Sequence, residues 1–359
     1  MRRRRRVARL AVAALALVGV AGALALRVAY RALALPNAFG RPGAELTFEV
    51  PSGQSTRVIL DRLAVAGVVR SALVARLYHS RILGDPPLRA GEYRFVSPVA
   101  ALDVLAKLRA GDVVTHPVTI VEGSTAHETA AALARAGFGP REALVHEFDS
   151  PARIADLDAR AETLEGYLFP DTYRFPRRVA AAAVADALVV RFRAVWGDDV
   201  SRLRAPGDER PLRELVILAS LVEKETAREA ERPLVAAVYS NRLRRGIGLF
   251  ADPTIIYGLK LAGRWDGDLR RRDLEADSPW NTYRRPGLPP GPICSPGRAS
   301  LAAALRPAAV DYLYFVSRND GSHVFSTTLA EHNRAVDAWQ RRYFRERRRE
   351  PARAESPRD

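Results

Sequence analysis

Leu46-Thr-Phe-Glu-Val-Pro-Ser-Gly-Gln-Ser-Thr-Arg-Val-Ile-Leu60 changes its period within fifteen residues. Leu46 to Val50 alternates apolar and polar side chains, as a half-buried strand does. Pro-Ser-Gly turns the chain, and Ser55 then caps an amphipathic helix to Ala66, closed by Gly67. The order returns downstream: Val118 to Val121 as a strand, Glu-Gly as the turn, and a helix from Thr125 to Ala136 closed by Gly137. Thr125 with Glu128 fits a capping box. A helix near Ser71 to His79 and a strand Gly91 to Phe95 follow the first unit. Strand, two helices and strand predict a small α+β module over 45–115, and the chain as a whole is expected to be α+β.

On the N-terminal side, Leu10 to Leu26 is an unbroken run of Ala, Val, Leu and Gly behind Arg2 to Arg6. At 1.5 Å per residue the run covers about 26 Å, close to a bilayer core once flanking residues snorkel. The expected division is a basic cytoplasmic segment 1–9, a transmembrane helix 10–29 and a Pro/Gly-containing linker 30–44. The denser arginine cluster predicts a cytoplasmic N-terminus in the cell inner membrane and a periplasmic or otherwise extracytoplasmic body. A cleaved signal peptide ending near Ala21-Gly-Ala23 is the alternative, and it too exports the body.

The net charge of +15 invites a nucleic-acid reading. Its location argues against one. Six positive charges precede the apolar run, and the tail from Arg341 holds eight arginines against four acids, so the body carries only +5. An exported body has no nucleic acid to meet. The single cysteine, Cys294, permits neither an internal disulfide nor a cysteine metal cluster.

On the C-terminal side, residues from Pro211 to about Glu229 read as a helix, and Val235 to Arg245 as a second one after Pro233. Residues 276–297 form a Pro/Gly-rich loop. Tyr312 to Ser317 and His323 to Ser326 flank Arg-Asn-Asp-Gly321 as a hairpin, and a last helix starts near Thr328. The larger domain is expected over 116–345, followed by a basic tail, 346–359.

Leu218-Ala-Ser-Leu-Val-Glu-Lys-Glu-Thr226 carries the chemistry. On a helix Glu225 shares a face with Leu218, Leu221 and Val222, while Glu223, about 200° round, points elsewhere. A carboxyl on an apolar face resists ionisation, which suits a general acid near neutral pH. The pattern by itself leaves a second possibility, a snorkelling Glu225 paired with Arg228. Other classes fit less well. There is no HExxH, the six histidines are scattered, and Ser220 and Lys224 lack the S-x-x-K spacing. No glycine-rich phosphate loop is present, so neither metal nor cofactor is expected.

Longer motifs sharpen this. Leu164-Glu-Gly-Tyr-Leu-Phe-Pro-Asp-Thr-Tyr173, Ala219-Ser-Leu-Val-Glu-Lys-Glu-Thr-Ala227 and Val238-Tyr-Ser-Asn-Arg-Leu243 resemble signatures of the endolytic murein transglycosylase (YceG-like) family. So do Asp252-Pro-Thr-Ile-Ile-Tyr-Gly258, Asn281-Thr-Tyr283, Gly287-Leu-Pro-Pro-Gly-Pro-Ile293, Ser295-Pro-Gly297, Tyr312-Leu-Tyr-Phe-Val316, Gly321-x-His-x-Phe325 and His332-Asn333. Order and spacing hold from about residue 10 to 340.

The resemblance implies a membrane anchor, a LysM-like module and a C-terminal catalytic domain. It makes the second glutamate of Glu-Lys-Glu-Thr, Glu225, the catalytic residue of a lytic transglycosylase (a lyase) that cuts the bond between N-acetylmuramic acid and N-acetylglucosamine. Its partners would be peptidoglycan glycan strands, the inner membrane and cell-wall synthases. Glu223, Asn241, Tyr257, Asn281 and Tyr283 are the candidate substrate-binding residues, with packing of the loop as the competing role for the last three. Asp252 and Asp171 read as turn caps beside prolines, which leaves Glu225 with no evident partner carboxylate. The substrate's acetamide and 6-hydroxyl would then supply what a second enzymatic carboxylate gives a hydrolase, and the product would end in 1,6-anhydro-N-acetylmuramic acid. The alternative function is a non-catalytic, membrane-anchored peptidoglycan-binding scaffold for cell-wall synthesis.

Overall fold

The computed structural model describes residues 2–342, with side chains from residue 9 onward; the basic tail at 346–359 lies outside them. In chain order the elements are α1 (Arg2–Leu33), β1 (Glu45–Val50), α2 (Thr56–Val65), α3 (Ala72–Arg81), β2 (Gly91–Val96), α4 (Ala101–Ala110) and β3 (His116–Thr119). Then come α5 (Ala126–Arg135), α6 (Arg141–Phe148), β4 (Thr172–Phe175), α7 (Ala181–Ala194), α8 (Leu212–Glu225), α9 (Arg232–Arg244) and α10 (Asp252–Leu261). The last are α11 (Arg271–Glu275), α12 (Arg298–Leu305), β5 (Tyr314–Ser317), β6 (His323–Ser326) and α13 (Leu329–Val336). Helix and strand are mixed throughout, and among the described residues the strands form three two-stranded sheets.

The chain divides into two compact units. Among the described residues the first takes those from 2 to 116 together with 174–178, a segment the sequence reading put in the larger domain; the second takes 117–173 and 179–342.

In the first unit β1 and β2 pair antiparallel with Phe48 opposite Tyr93. The alternation read from Leu46 to Val50 puts Phe48 and Val50 inward, where they meet Ile59, Leu60 and Leu63 of α2, Ala75 of α3, and Val104, Leu105 and Leu108 of α4. Ser55 and Ser71 cap α2 and α3 through their hydroxyls. The segment 30–44 is not a free linker. Helix α1 runs on to Leu33, which packs into this same core, and Asn37 pairs with Val99. Arg9 to Leu33 is long and apolar enough to cross a membrane.

In the second unit α8 is the central helix. Leu215 to Val222 are buried without a break, against α9, α10 and α12. Helix α5 begins with the Thr125–Glu128 capping box that the sequence spells. The β5–β6 hairpin pairs Phe315 with Phe325 and turns through Asn319 and Gly321, both at positive φ. Helix α13, capped by Thr328, packs on this hairpin.

Candidate active site

Helix α8 stops four residues earlier than its sequence suggests, and the stop places Glu225. Thr226 is extended (φ −142°, ψ 133°), and its hydroxyl accepts a hydrogen bond from the Arg228 amide at 3.1 Å. A β-branched residue whose oxygen captures a nearby N–H competes with the next helical turn. Glu225 is thus the last helical residue. The segment beyond is tied to β6, where the His323 amide donates to Oε1 of Glu231 and His323 Nδ1 lies 2.6 Å from Oε2. Arg228 does not pair with Glu225; its guanidinium donates to the Asp320 carbonyl.

Glu225 lines an open cleft of about 450 Å³ with Arg242, Phe250, Asp252, Tyr283, Tyr314, Phe315, Leu329 and His332. The carboxyl is half-buried, and its Oε1 accepts a 2.5 Å hydrogen bond from the Tyr239 phenol on α9. Burial raises its pKa above the usual carboxylate range, and the negative charge of Asp252 pushes the same way. The Tyr239 hydrogen bond and the positive groups His323 and Arg242 oppose the rise without cancelling it. Such a group holds its proton longer than a solvated glutamate and can both give and take one.

Asp252 is where the structure departs most from the sequence reading. It opens α10, as a cap would, yet it also faces the cleft and accepts a 2.6 Å hydrogen bond from the Tyr283 phenol. The cleft therefore contains two carboxylates. Tyr283 is held in turn by its backbone amide, which donates to Oδ1 of Asn281 at 3.0 Å, and by the edge of Phe250 at 5.3 Å.

Arg242 forms one wall. Nε donates to the Leu313 carbonyl and Nη1 to that of Leu249, and the guanidinium lies 5.6 Å from the Phe250 ring centre and 5.5 Å from that of Tyr314. Tyr314 stacks on His332 at 5.2 Å. Burial and the nearby Arg242 lower the His332 pKa, and its Nδ1 is buried without a partner.

Of the polar residues singled out for substrate contact, Tyr283 lines the cleft and the other four hold the scaffold around it. Glu223 pairs with Arg232 at 3.1 Å and accepts the Gly297 amide at 2.9 Å. Asn241 donates to the Val310 and Tyr312 carbonyls, both at 2.8 Å. Asn281 is fully buried and donates to the carbonyls of Leu274 and Ala276, which shapes the loop that presents Tyr283. The Tyr257 phenol donates to Glu165, and its ring meets Trp280 at 4.6 Å. Sequence reasoning missed Tyr239, Arg242, Phe250, Tyr314, Phe315 and His332 as members of one site. Val238 to Leu243, Tyr312 to Val316 and His332 stood within the motifs, but no spacing rule links them to Glu225.

The chain matches the model of the YceG-like family over residues 48–338. It is 30% identical over 310 residues to a Bacillus subtilis (strain 168) protein named endolytic murein transglycosylase, covering 82% of this chain and 84% of that one. A Streptococcus pneumoniae serotype 2 (strain D39) protein of the same name is 28% identical over 81% of this chain, which spans 58% of that relative's length. Among solved structures, a YceG-like protein from Listeria monocytogenes superposes with a TM-score of 0.53 at 30% identity, covering 82% of this chain and 99% of that one.

Proposed function

Since this chain belongs to the YceG-like family, we propose that it is a peptidoglycan lytic transglycosylase anchored in a membrane by α1, with Glu225 as general acid and then general base. The observation that carries the reading is a single glutamate with a raised pKa, hydrogen-bonded by Tyr239, in an open cleft walled by aromatic rings. An open cleft suits a polymer, and rings suit the faces of sugars.

The protein's part is one proton moved twice. Protonated Glu225 donates to the oxygen linking C1 of N-acetylmuramic acid to the next sugar, and the C1–O bond breaks. The acetamide oxygen of the same muramic acid supports C1 as the bond leaves. Carboxylate Glu225 then takes the proton from the 6-hydroxyl, O6 bonds to C1, and a 1,6-anhydro ring closes without water. Tyr239 holds the carboxyl in place through both steps, Tyr283 meets a sugar in the cleft, and Asn281 positions Tyr283. Glu223, Asn241 and Tyr257 support the walls.

A second reading, hydrolysis, draws on Asp252, a carboxylate in the same cleft. A pair of carboxylates is what hydrolytic glycosidases use. The hydrogen bond from Tyr283 and the name carried by the relatives favour a positioning role for Asp252 instead. Mass spectrometry of digested glycan strands decides between them. Products lighter by one water than hydrolytic ends are expected, and borohydride-reducible ends would establish hydrolysis. The strand–helix–helix–strand order of the first unit supports a LysM-like, glycan-binding role for it. The arginines ahead of the apolar run of α1 support a cytoplasmic N-terminus and an exported body beside the cell-wall synthases.

A further inference from the structure

Helix α3 turns an apolar strip to solvent. Leu73 and Leu77, one turn apart, are 60% and 52% exposed. The opposite side, Ala75 and His79, is buried. Arg70 and Arg81 stand at the two ends of the strip. Among the described residues neither pairs with a carboxylate, and Arg70 donates only to the Pro36 carbonyl.

The neighbour of this strip is the end of α1. Helix α1 packs on α3 and α4, Leu33 shares a core with Ala75, and the Arg70–Pro36 hydrogen bond joins the start of α3 to the residues just after α1. No flexible tether intervenes. Arg9–Leu33 is 25 residues, about 37 Å along a helix, so it exceeds a hydrocarbon core of about 30 Å by roughly one polar layer. The polar layer on each side of a bilayer is about 5–7 Å thick. An element packed beside Leu33 therefore sits at headgroup depth. A pair of leucines bounded by arginines is the composition that layer takes up, with apolar side chains at the acyl boundary and guanidinium groups at the phosphates.

We infer that the outer face of α3, Leu73 and Leu77 between Arg70 and Arg81, rests in the interface of an anionic bilayer and holds the first unit flush against the membrane. The inference rests on the reading of α1 as a membrane span, and its test separates the two.

The full chain is reconstituted in vesicles of mixed phosphatidylcholine and phosphatidylglycerol with a nitroxide at Val18→Cys or Leu77→Cys. Cys294 is buried and stays unlabelled. Both target positions are exposed, so neither label disturbs packing. An excess of oxygen over nickel-chelate collisions is expected at both positions, and Arg70→Glu with Arg81→Glu should reduce it at position 77 alone. Lipid contact at 18 with water contact at 77 overturns the inference and leaves the anchor intact. Water contact at 18 overturns the anchor itself. A label at 77 shielded from both reagents and broadened by spin–spin coupling shows that a second copy of the chain covers the strip, which also overturns the inference.

Discussion

Tyr239, fourteen residues beyond Glu225 on the next long helix, points its phenol at the Glu225 carboxyl and donates a 2.5 Å hydrogen bond to Oε1. The bond fixes the carboxyl's direction and moderates a pKa that burial drives upward. Several outcomes depend on that balance.

Glu225→Gln keeps the shape and loses the proton. Strand cleavage should fall by about 10²–10⁴, or more because one group serves as both acid and base. Glu223→Gln weakens the tie to Arg232 and should lower thermal stability while retaining much more activity. Digestion assays with melting curves compare the two, and near-normal turnover by Glu225→Gln rules out its assignment.

Tyr239→Phe and Asp252→Asn should move the alkaline limb of the pH–rate profile in opposite directions. The acid role needs protonated Glu225, so activity declines as pH rises through its pKa. Losing the Tyr239 hydrogen bond removes a group that favours the carboxylate, so the limb moves to higher pH. Losing the Asp252 charge removes a group that disfavours the carboxylate, so the limb moves lower. Profiles of kcat for both variants test the signs. Shifts in the same direction would contradict the arrangement.

Glu165 offers a stability test away from the chemistry. It is buried, accepts the Ala126 amide at 3.0 Å and the Tyr257 phenol at 3.1 Å, and burial raises its pKa from 4.5 to about 7. In the unfolded chain it ionises first. Stability from this group is therefore full below about pH 4.5, declines as pH rises, and is gone above about pH 7, a change on the order of 3 kcal/mol. Glu165→Gln should flatten that decline in urea titrations across this range. An unchanged slope would show that Glu165 is not its source.

Truncation tests where the membrane helix ends and the folded unit begins. A chain starting at Tyr30 keeps Leu33 in its core, whereas one starting at Pro36 loses it. The second should be less stable by about 1.5–3 kcal/mol, the worth of one buried leucine. Equal denaturation midpoints would mean that Leu33 adds nothing.

Local hydrogen bonds and periodicity were legible from the chain itself. The caps at Ser55, Thr125 and Thr328, the inward set Phe48 and Val50, the hairpin turn at Asn319–Gly321, and the apolar stripe of α8 that ends in Glu225 all follow from residues a few positions apart. Such interactions depend on spacing, and spacing is what a sequence displays. Where α8 stops was harder, because Thr226 wins a local competition that propensity alone does not settle.

Tertiary packing decided what surrounds Glu225. Tyr239, Arg242, Asp252, Tyr283, Tyr314 and His332 come from five further segments, and each reaches the cleft only because α9, α10, α13, the β5–β6 hairpin and the loop before α12 pack around α8. The same packing turned Asn241, Asn281 and Tyr257 inward, since buried amides and phenols must find partners and the nearest were backbone carbonyls and Glu165. A polar residue's type shows that it will form hydrogen bonds; only the folded chain determines whether its partner is the protein or a ligand.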